Sequence, residues 1–247
     1  MDVITSIQNE KVKDWRKLQQ RKYRQRTEAF LIEGAHLIEE AIKSNWIVTE
    51  LIVSESTTVP TNIEQIAINY VSEAVFQQVT QTESPQGIAA VVKVKKQKDI
   101  VGSRLLFVDA VQDPGNLGTL IRTADAAGFA AVVLGKGTVD MYNDKVIRAT
   151  QGSLFHIPIL QADLKETMRE LQGQGYVVVA SALEKAEPYT TLQRDEKMCL
   201  IVGNEGAGIQ KELIIEADHI VKIPIYGKAE SLNVSVAAGI LMYALVE

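Results

Sequence analysis

Cysteine is almost missing from this chain: Cys199 stands alone among 247 residues, inside the apolar run 198–202. Neither an intrachain disulfide framework nor a thiolate metal site can be built from one thiol, and a reducing cytoplasm is the expected home. Histidine is nearly as scarce. His36, His156 and His219 lie far apart with no second ligand at helical spacing, so no metal is expected. No run approaches the roughly 20 unbroken apolar residues of a membrane span; residues 236–246 are the longest candidate, and no membrane role is expected. The opening Met1-Asp2-Val3-Ile4-Thr5 lacks the basic-then-apolar plan of a signal peptide. Also missing are the G-x-G-x-x-G dinucleotide fingerprint and a phosphate loop ending in Gly-Lys-Ser/Thr, which excludes a nucleotide-dependent oxidoreductase.

What is present is enough apolar sequence, 46% of residues, to build one large core or two ordinary ones. The formal net charge of −5 looks wrong for a nucleic-acid partner, but the charge is segregated. Residues 11–26 hold Lys11, Lys13, Arg16, Lys17, Arg21, Lys22, Arg24 and Arg26 against Asp14 alone, and Lys93, Lys95, Lys96 and Lys98 form a second cluster. Clustered cations suit a phosphate backbone, because each neutralised phosphate releases counterions. Val12, Trp15 and Leu18 recur at three-residue spacing within the first cluster and predict an amphipathic helix with its cations outward.

Short strands at 30–32, 50–53 and 88–94 alternate with helices at 34–44 and 72–82, the latter capped by Ser72, and predict a small α/β domain over residues 1–95. Residues 96–103 are polar and charged and read as a linker. From residue 104 to 247 the pattern changes: runs at 105–111, 130–134, 176–183, 199–202 and 220–225 stay apolar on both faces. Such runs predict parallel strands covered on both sides by helices. Between them, Asn116 is an apt N-cap for a helix that buries Leu117, Leu120, Ile121, Ala124 and Gly128. Asn116, Thr119, Arg122 and Asp125 fall on the other face. Taken alone, Arg122 and Asp125 read as an exposed ion pair of little consequence.

Three stretches carry the functional signal. Gly203-Asn204-Glu205-Gly206-Ala207-Gly208 follows an apolar strand and lets a ligand or another backbone approach closely. Ser231 to Ala238, with Ser231 in an N-cap position, opens an apolar helix over 232–246. Upstream lies Asn116-Leu117-Gly118-Thr119-Leu120-Ile121-Arg122. In this order the three resemble the motif set of the SpoU/TrmH branch of the SPOUT RNA methyltransferases. Phe30 to Gly34 with Ser84 to Ala89 resembles the ribosomal-protein-like α/β substrate-binding domain that precedes the catalytic domain in many of these enzymes.

The resemblance implies a catalytic domain whose mostly parallel sheet is threaded into a trefoil knot, and transfer of a methyl group from S-adenosylmethionine to a ribose 2′-hydroxyl of RNA. It implies catalytic roles for Arg122 and Asn116, with Glu205, Asn233 and Ser231 in support. It implies cofactor contacts, largely through backbone groups, at Gly203, Asn204, Gly208, Ile223 and Leu232, with Leu183 from a preceding loop. Residues 144–153 resemble a further family segment near the active site, in which Arg148 would be a second phosphate ligand. The carboxyl-terminal helix, apolar on nearly every side, wants a second partner, and the family's members are homodimers. Ribosomal RNA is the favoured substrate. The alternatives are transfer RNA as substrate, methylation of a base on the same fold, and an RNA-binding ribosome-assembly factor without turnover.

Overall fold

The computed structural model describes residues 2–59, 66–80, 82–96, 102–193 and 195–246. In chain order the elements are β1 (Val3–Ile4), α1 (Glu10–Lys17), α2 (Arg21–Thr27), β2 (Ala29–Glu33), α3 (Ala35–Lys43), β3 (Val48–Ser54), β4 (Ala67–Val71), α4 (Glu73–Val79) and β5 (Ile88–Lys93). They continue with β6 (Arg104–Val108), α5 (Pro114–Ala126), β7 (Ala131–Leu134), α6 (Asp144–Thr150), α7 (Ser153–His156), β8 (Ile159–Gln161), α8 (Leu164–Gly173) and β9 (Val177–Ser181). The last are β10 (Glu187–Pro188), β11 (Met198–Val202), α9 (Lys211–Glu216), β12 (His219–Lys222) and α10 (Val234–Val246). Backbone contacts group these into two compact units, Met1–Lys96 with Tyr142–Phe155, and Gln97–Met141 with His156–Glu247. Most of the expected linker, including Lys98, lies outside the described residues.

The first unit is a five-stranded mixed sheet in the order β1-β4-β3-β5-β2. Val12, Trp15 and Leu18 are buried against Val75, Phe76 and Val79 of α4, as their spacing predicts. The basic segment differs from expectation in forming two helices. Arg24 is buried, and its Nη1 donates to the carbonyls of Leu18 and Gln19, both at 2.8 Å. It satisfies the exposed carbonyl end of α1, so one cation of the cluster has a structural task rather than a phosphate. Residues 142–155 fold into this unit through aromatic contacts: Tyr142 lies 4.4 Å from Phe30, and Phe155 lies 5.4 Å from Trp46, whose Nε1 donates to the Phe155 carbonyl.

The second unit is a seven-stranded sheet in the order β10-β12-β9-β11-β6-β7-β8, parallel at every pairing. Leu105, Phe107, Val178, Ala180, Cys199 and Ile201 pack on one face against Leu164, Met168 and Leu171 of α8 and Leu213 of α9. On the other face α5 and α10 pack against each other, with α10 also against β11. This double cover is why the strands are apolar at every position rather than at alternate ones.

Two helix starts differ from expectation. Helix α5 begins at Pro114 with Asp113 as its cap, the carboxylate accepting from the Asn116 amide at 2.8 Å; a proline at N1 loses no bond there. Helix α10 begins at Val234, and Asn233 caps it, not Ser231: Asn233 Oδ1 accepts from the amides of Ser235 (2.9 Å) and Val236 (3.4 Å). Both shifts release Asn116 and Ser231 from capping.

Candidate active site

Strands β12, β9, β11 and β6 are neighbours in the sheet and all run the same way. The segments that leave their carboxyl ends therefore emerge along one edge, where open parallel sheets hold ligands. Those segments begin at Ile223, Ala182, Gly203 and Asp109. The sequence-marked catalytic and cofactor residues lie in them, except Asn116 and Arg122, which follow on α5. Residues 144–153 belong to the other unit, where Arg148 is paired with Asp144 at 2.8 Å. A small cleft is also found in the first unit, lined in part by Leu31, Ile32, Arg24 and Tyr142. None of the marked catalytic or cofactor residues lines it.

Gly203 owes its identity to the loop's own backbone. A Cβ placed there would stand 2.2 Å from the Gly208 carbonyl carbon and 2.3 Å from the Ile209 nitrogen, so only glycine lets the loop fold back on itself. Asn204 and Gly208 exchange backbone hydrogen bonds at 3.0 Å across this turn. The Asn204 side chain fastens it: Oδ1 accepts from Gly206 and Ala207 amides, and Nδ2 donates to the Ala110 carbonyl at 2.9 Å. Ala110 sits at φ +53°, a left-handed conformation that a residue with a Cβ adopts only under constraint. Beneath the loop, the fully buried Asp109 accepts from the Gln210 amide at 2.7 Å and its side-chain nitrogen at 2.6 Å.

The turn aims Glu205 at the start of α5. Its carboxylate accepts from the amides of Gln112 (3.2 Å) and Asp113 (3.0 Å) and from Asn116 Nδ2 (3.0 Å). Because a carboxylate only accepts, it turns the Asn116 amide group toward itself and leaves Asn116 Oδ1 facing away. That oxygen accepts from Asn233 Nδ2 at 2.8 Å, and Ser235 Oγ lies 3.4 Å from it and 2.6 Å from Asn233 Oδ1. Burial pushes the Glu205 carboxyl upward, but the hydrogen bonds from Asn116 and from the amides of Glu205, Asp113 and Gln112 outweigh it, and the pKa falls below the ordinary glutamate value. Glu205 is therefore an anion that orients its neighbours.

On α5, Leu117, Leu120, Ile121 and Ala124 are buried, while Thr119 and Arg122 face solvent. Asp125 pairs with His156 at 3.0 Å, and Arg122 has no hydrogen-bond or ion-pair partner among the described residues. The guanidinium is thus presented with all its donors available. Ser231 is exposed and joins none of the described hydrogen bonds; Ser235, one helical turn on, takes the place in the network.

Three features of this edge fit a nucleoside ligand read by backbone groups. Leu183 and Leu232 are 56% and 38% exposed, with Ile223 half-buried. Backbone groups of residues 224–232 bond to no other described residue. Gly208, at φ +70°, faces open space. Apolar side chains around free amides and carbonyls are what a purine face and edge require. Among the described residues no group of His, Cys, Asp or Glu is arranged to hold a metal ion, and no helix is long and apolar enough to cross a membrane.

Sequence reasoning missed Asp109, Asp113, Gln210 and Ser235. The Asp113-Pro114 pair carried a readable cap signal. Asp109 and Gln210 did not, because their pairing spans 101 residues.

Residues 103–243 match the SpoU rRNA Methylase family, and residues 9–90 match the MRM3-like substrate binding domain. The chain is 50% identical over 246 residues, 99% of each protein, to the 23S rRNA (guanosine(2553)-2′-O)-methyltransferase RlmP of Bacillus subtilis. The AdoMet-bound rRNA methyltransferase of Sinorhizobium meliloti superposes with a TM-score of 0.89 at 33% identity, over 99% of this chain and 97% of that one. The SpoU methyltransferase AviRb of Streptomyces viridochromogenes, solved with AdoMet, superposes with a TM-score of 0.85 at 25% identity, over 97% of each.

Proposed function

Because the chain belongs to the SpoU rRNA methylase family, we propose that it transfers a methyl group from S-adenosylmethionine to a ribose 2′-hydroxyl of 23S ribosomal RNA, in the cytoplasm. The observation that carries the site assignment is the hydrogen-bond chain Glu205–Asn116–Asn233, which ties all three motifs together. The relative's name specifies a guanosine, and the same nucleotide is the first to assay here. Residues 1–95 serve as the RNA-binding module, 96–103 as linker and 104–247 as the methyltransferase domain, a division supported by the two family matches, with the segment 142–155 of that last span packing into the first unit. Threading of the carboxyl-terminal segment into a trefoil knot follows from the family.

S-adenosylmethionine supplies an electrophilic methyl carbon when bound. Backbone groups around Gly203, Asn204, Gly208, Ile223 and Leu232 would hold it, with Leu183 beside them. The protein's remaining tasks are to align the ribose oxygen and to stabilise charge developing on it. Arg122, whose guanidinium is a planar donor with no acceptor, holds an RNA phosphate and steadies the developing alkoxide. The proton leaves through that phosphate or water. Asn116 and Asn233, locked by Glu205, orient the sugar, and Ser231 contacts substrate from its exposed position. Val236, Ile240 and Tyr243 form an exposed stripe on α10 that a second copy covers in a homodimer.

The test is methyl transfer from labelled donor to RNA, followed by alkaline hydrolysis: a 2′-O-methyl group protects the adjacent linkage, whereas base methylation does not. Arg122→Ala should abolish turnover while RNA still binds. Turnover left intact in that variant, with only RNA affinity reduced, overturns the role given to Arg122.

A further inference from the structure

Tyr226 is 95% exposed, the most exposed large apolar side chain among the described residues, and it has no hydrogen-bond or ion-pair partner there. It rides on the segment between β12 and α10, four residues past Lys222 and seven before Asn233, which is bonded to Asn116. Seven extended residues span at most about 25 Å, so the ring stays within a few nucleotides' length of the network. Both ends of its segment are anchored at the proposed reaction edge.

The charge on this segment narrows what the ring can meet. Lys228 and Glu230 are both exposed and cancel, so the segment offers a phosphate backbone little net attraction. What it does offer is a free aromatic face. Unpaired RNA bases stack on such faces in single-stranded loops, a mode that needs neither a cation nor a particular base. The geometry points to Tyr226 as a stacking platform for an unpaired base of the RNA strand that carries the acceptor ribose. This rests on the proposed reaction and adds a substrate contact to it.

The test uses the full-length protein and a short RNA containing the target loop, with 2-aminopurine placed in turn at positions flanking the acceptor. Tyr226→Ala should raise KM for RNA roughly 5- to 150-fold, the range seen on removing one base-stacking aromatic. It should also abolish the 2-aminopurine quenching at one position. Tyr226→Phe and Tyr226→Trp should restore both, and calorimetric affinity for S-adenosylmethionine should stay at the wild-type value. Four results overturn the inference: KM unchanged in Tyr226→Ala, Tyr226→Phe as impaired as Tyr226→Ala, donor affinity lost together with RNA affinity, or a change of oligomeric state that places the ring against a second copy. Failure of the reaction assignment is separable, since it would appear as wild-type protein that quenches the probe without methylating the ribose.

Discussion

Glu205→Gln is the sharpest test of the site. Glutamine keeps the shape of glutamate but only one acceptor oxygen. Oε1 takes the Asp113 amide and Asn116 Nδ2, while Oε2 takes the Gln112 amide and lies 3.4 Å from Asn204 Nδ2. Whichever way the new amide turns, its NH₂ faces donors. Each bond to a charged acceptor is worth about 1.5–3 kcal/mol, but Glu205 is exposed and water re-solvates part of what is lost. A net loss of about 2–3 kcal/mol in transition-state alignment corresponds to roughly a 30- to 150-fold fall in kcat/KM. Folding should barely change, by about 1 kcal/mol or less and so about 2–4 °C in Tm. The assay is steady-state methylation beside a thermal melt and a pH profile. The folded pKa of Glu205 is depressed, so its contribution is complete above the ordinary glutamate value and is lost as pH falls through the lower folded value. The wild type should show that acid limb and Glu205→Gln should not. A variant within about threefold of wild-type kcat/KM, with the acid limb intact, refutes the orienting role.

Three further outcomes follow from the same geometry. Gly203→Ala forces a Cβ into the backbone of Gly208 and Ile209 and should cost about 1–3 kcal/mol of stability, with loss of donor binding by calorimetry. Asn233→Ala removes the α10 cap, worth about 1 kcal/mol, and so lowers Tm, whereas Asn233→Asp keeps the capping oxygen and the Tm. Both should lose turnover, because Asn116 Oδ1 loses its donor; an active Asn233→Asp variant breaks that link. Cys199 is fully buried and its thiol is pushed well upward in pKa by burial. It should react with a disulfide reagent only after denaturation, and a native-state reaction at the rate of a free thiol contradicts the packing of β11.

Much of this was readable from local pattern. Apolar runs without alternation predicted a parallel sheet covered on both faces, and the spacing of Leu117, Leu120, Ile121 and Ala124 placed Arg122 on the open side of α5. Strands β1, β4, β8 and β10 went unread because they are short or only partly apolar, and Arg24 was counted as a surface cation because burial of a guanidinium leaves no mark in composition. The caps of α5 and α10 were misplaced because Asn, Asp and Ser are about equally good capping residues, and only the turn geometry selects between Asp113 and Asn116 or between Ser231 and Asn233.

The amino-acid sequence by itself determined the period and the faces of each element, since those depend on neighbours a few residues apart, and it supplied the residue types of the three motifs. Tertiary structure alone decided that β11 lies between β9 and β6, which brings Glu205 to Asn116 across 89 residues and Asn233 to Asn116 across 117. Strand order is a property of the whole sheet: it is set by which arrangement buries every apolar face at once, and no local window of the chain contains that information.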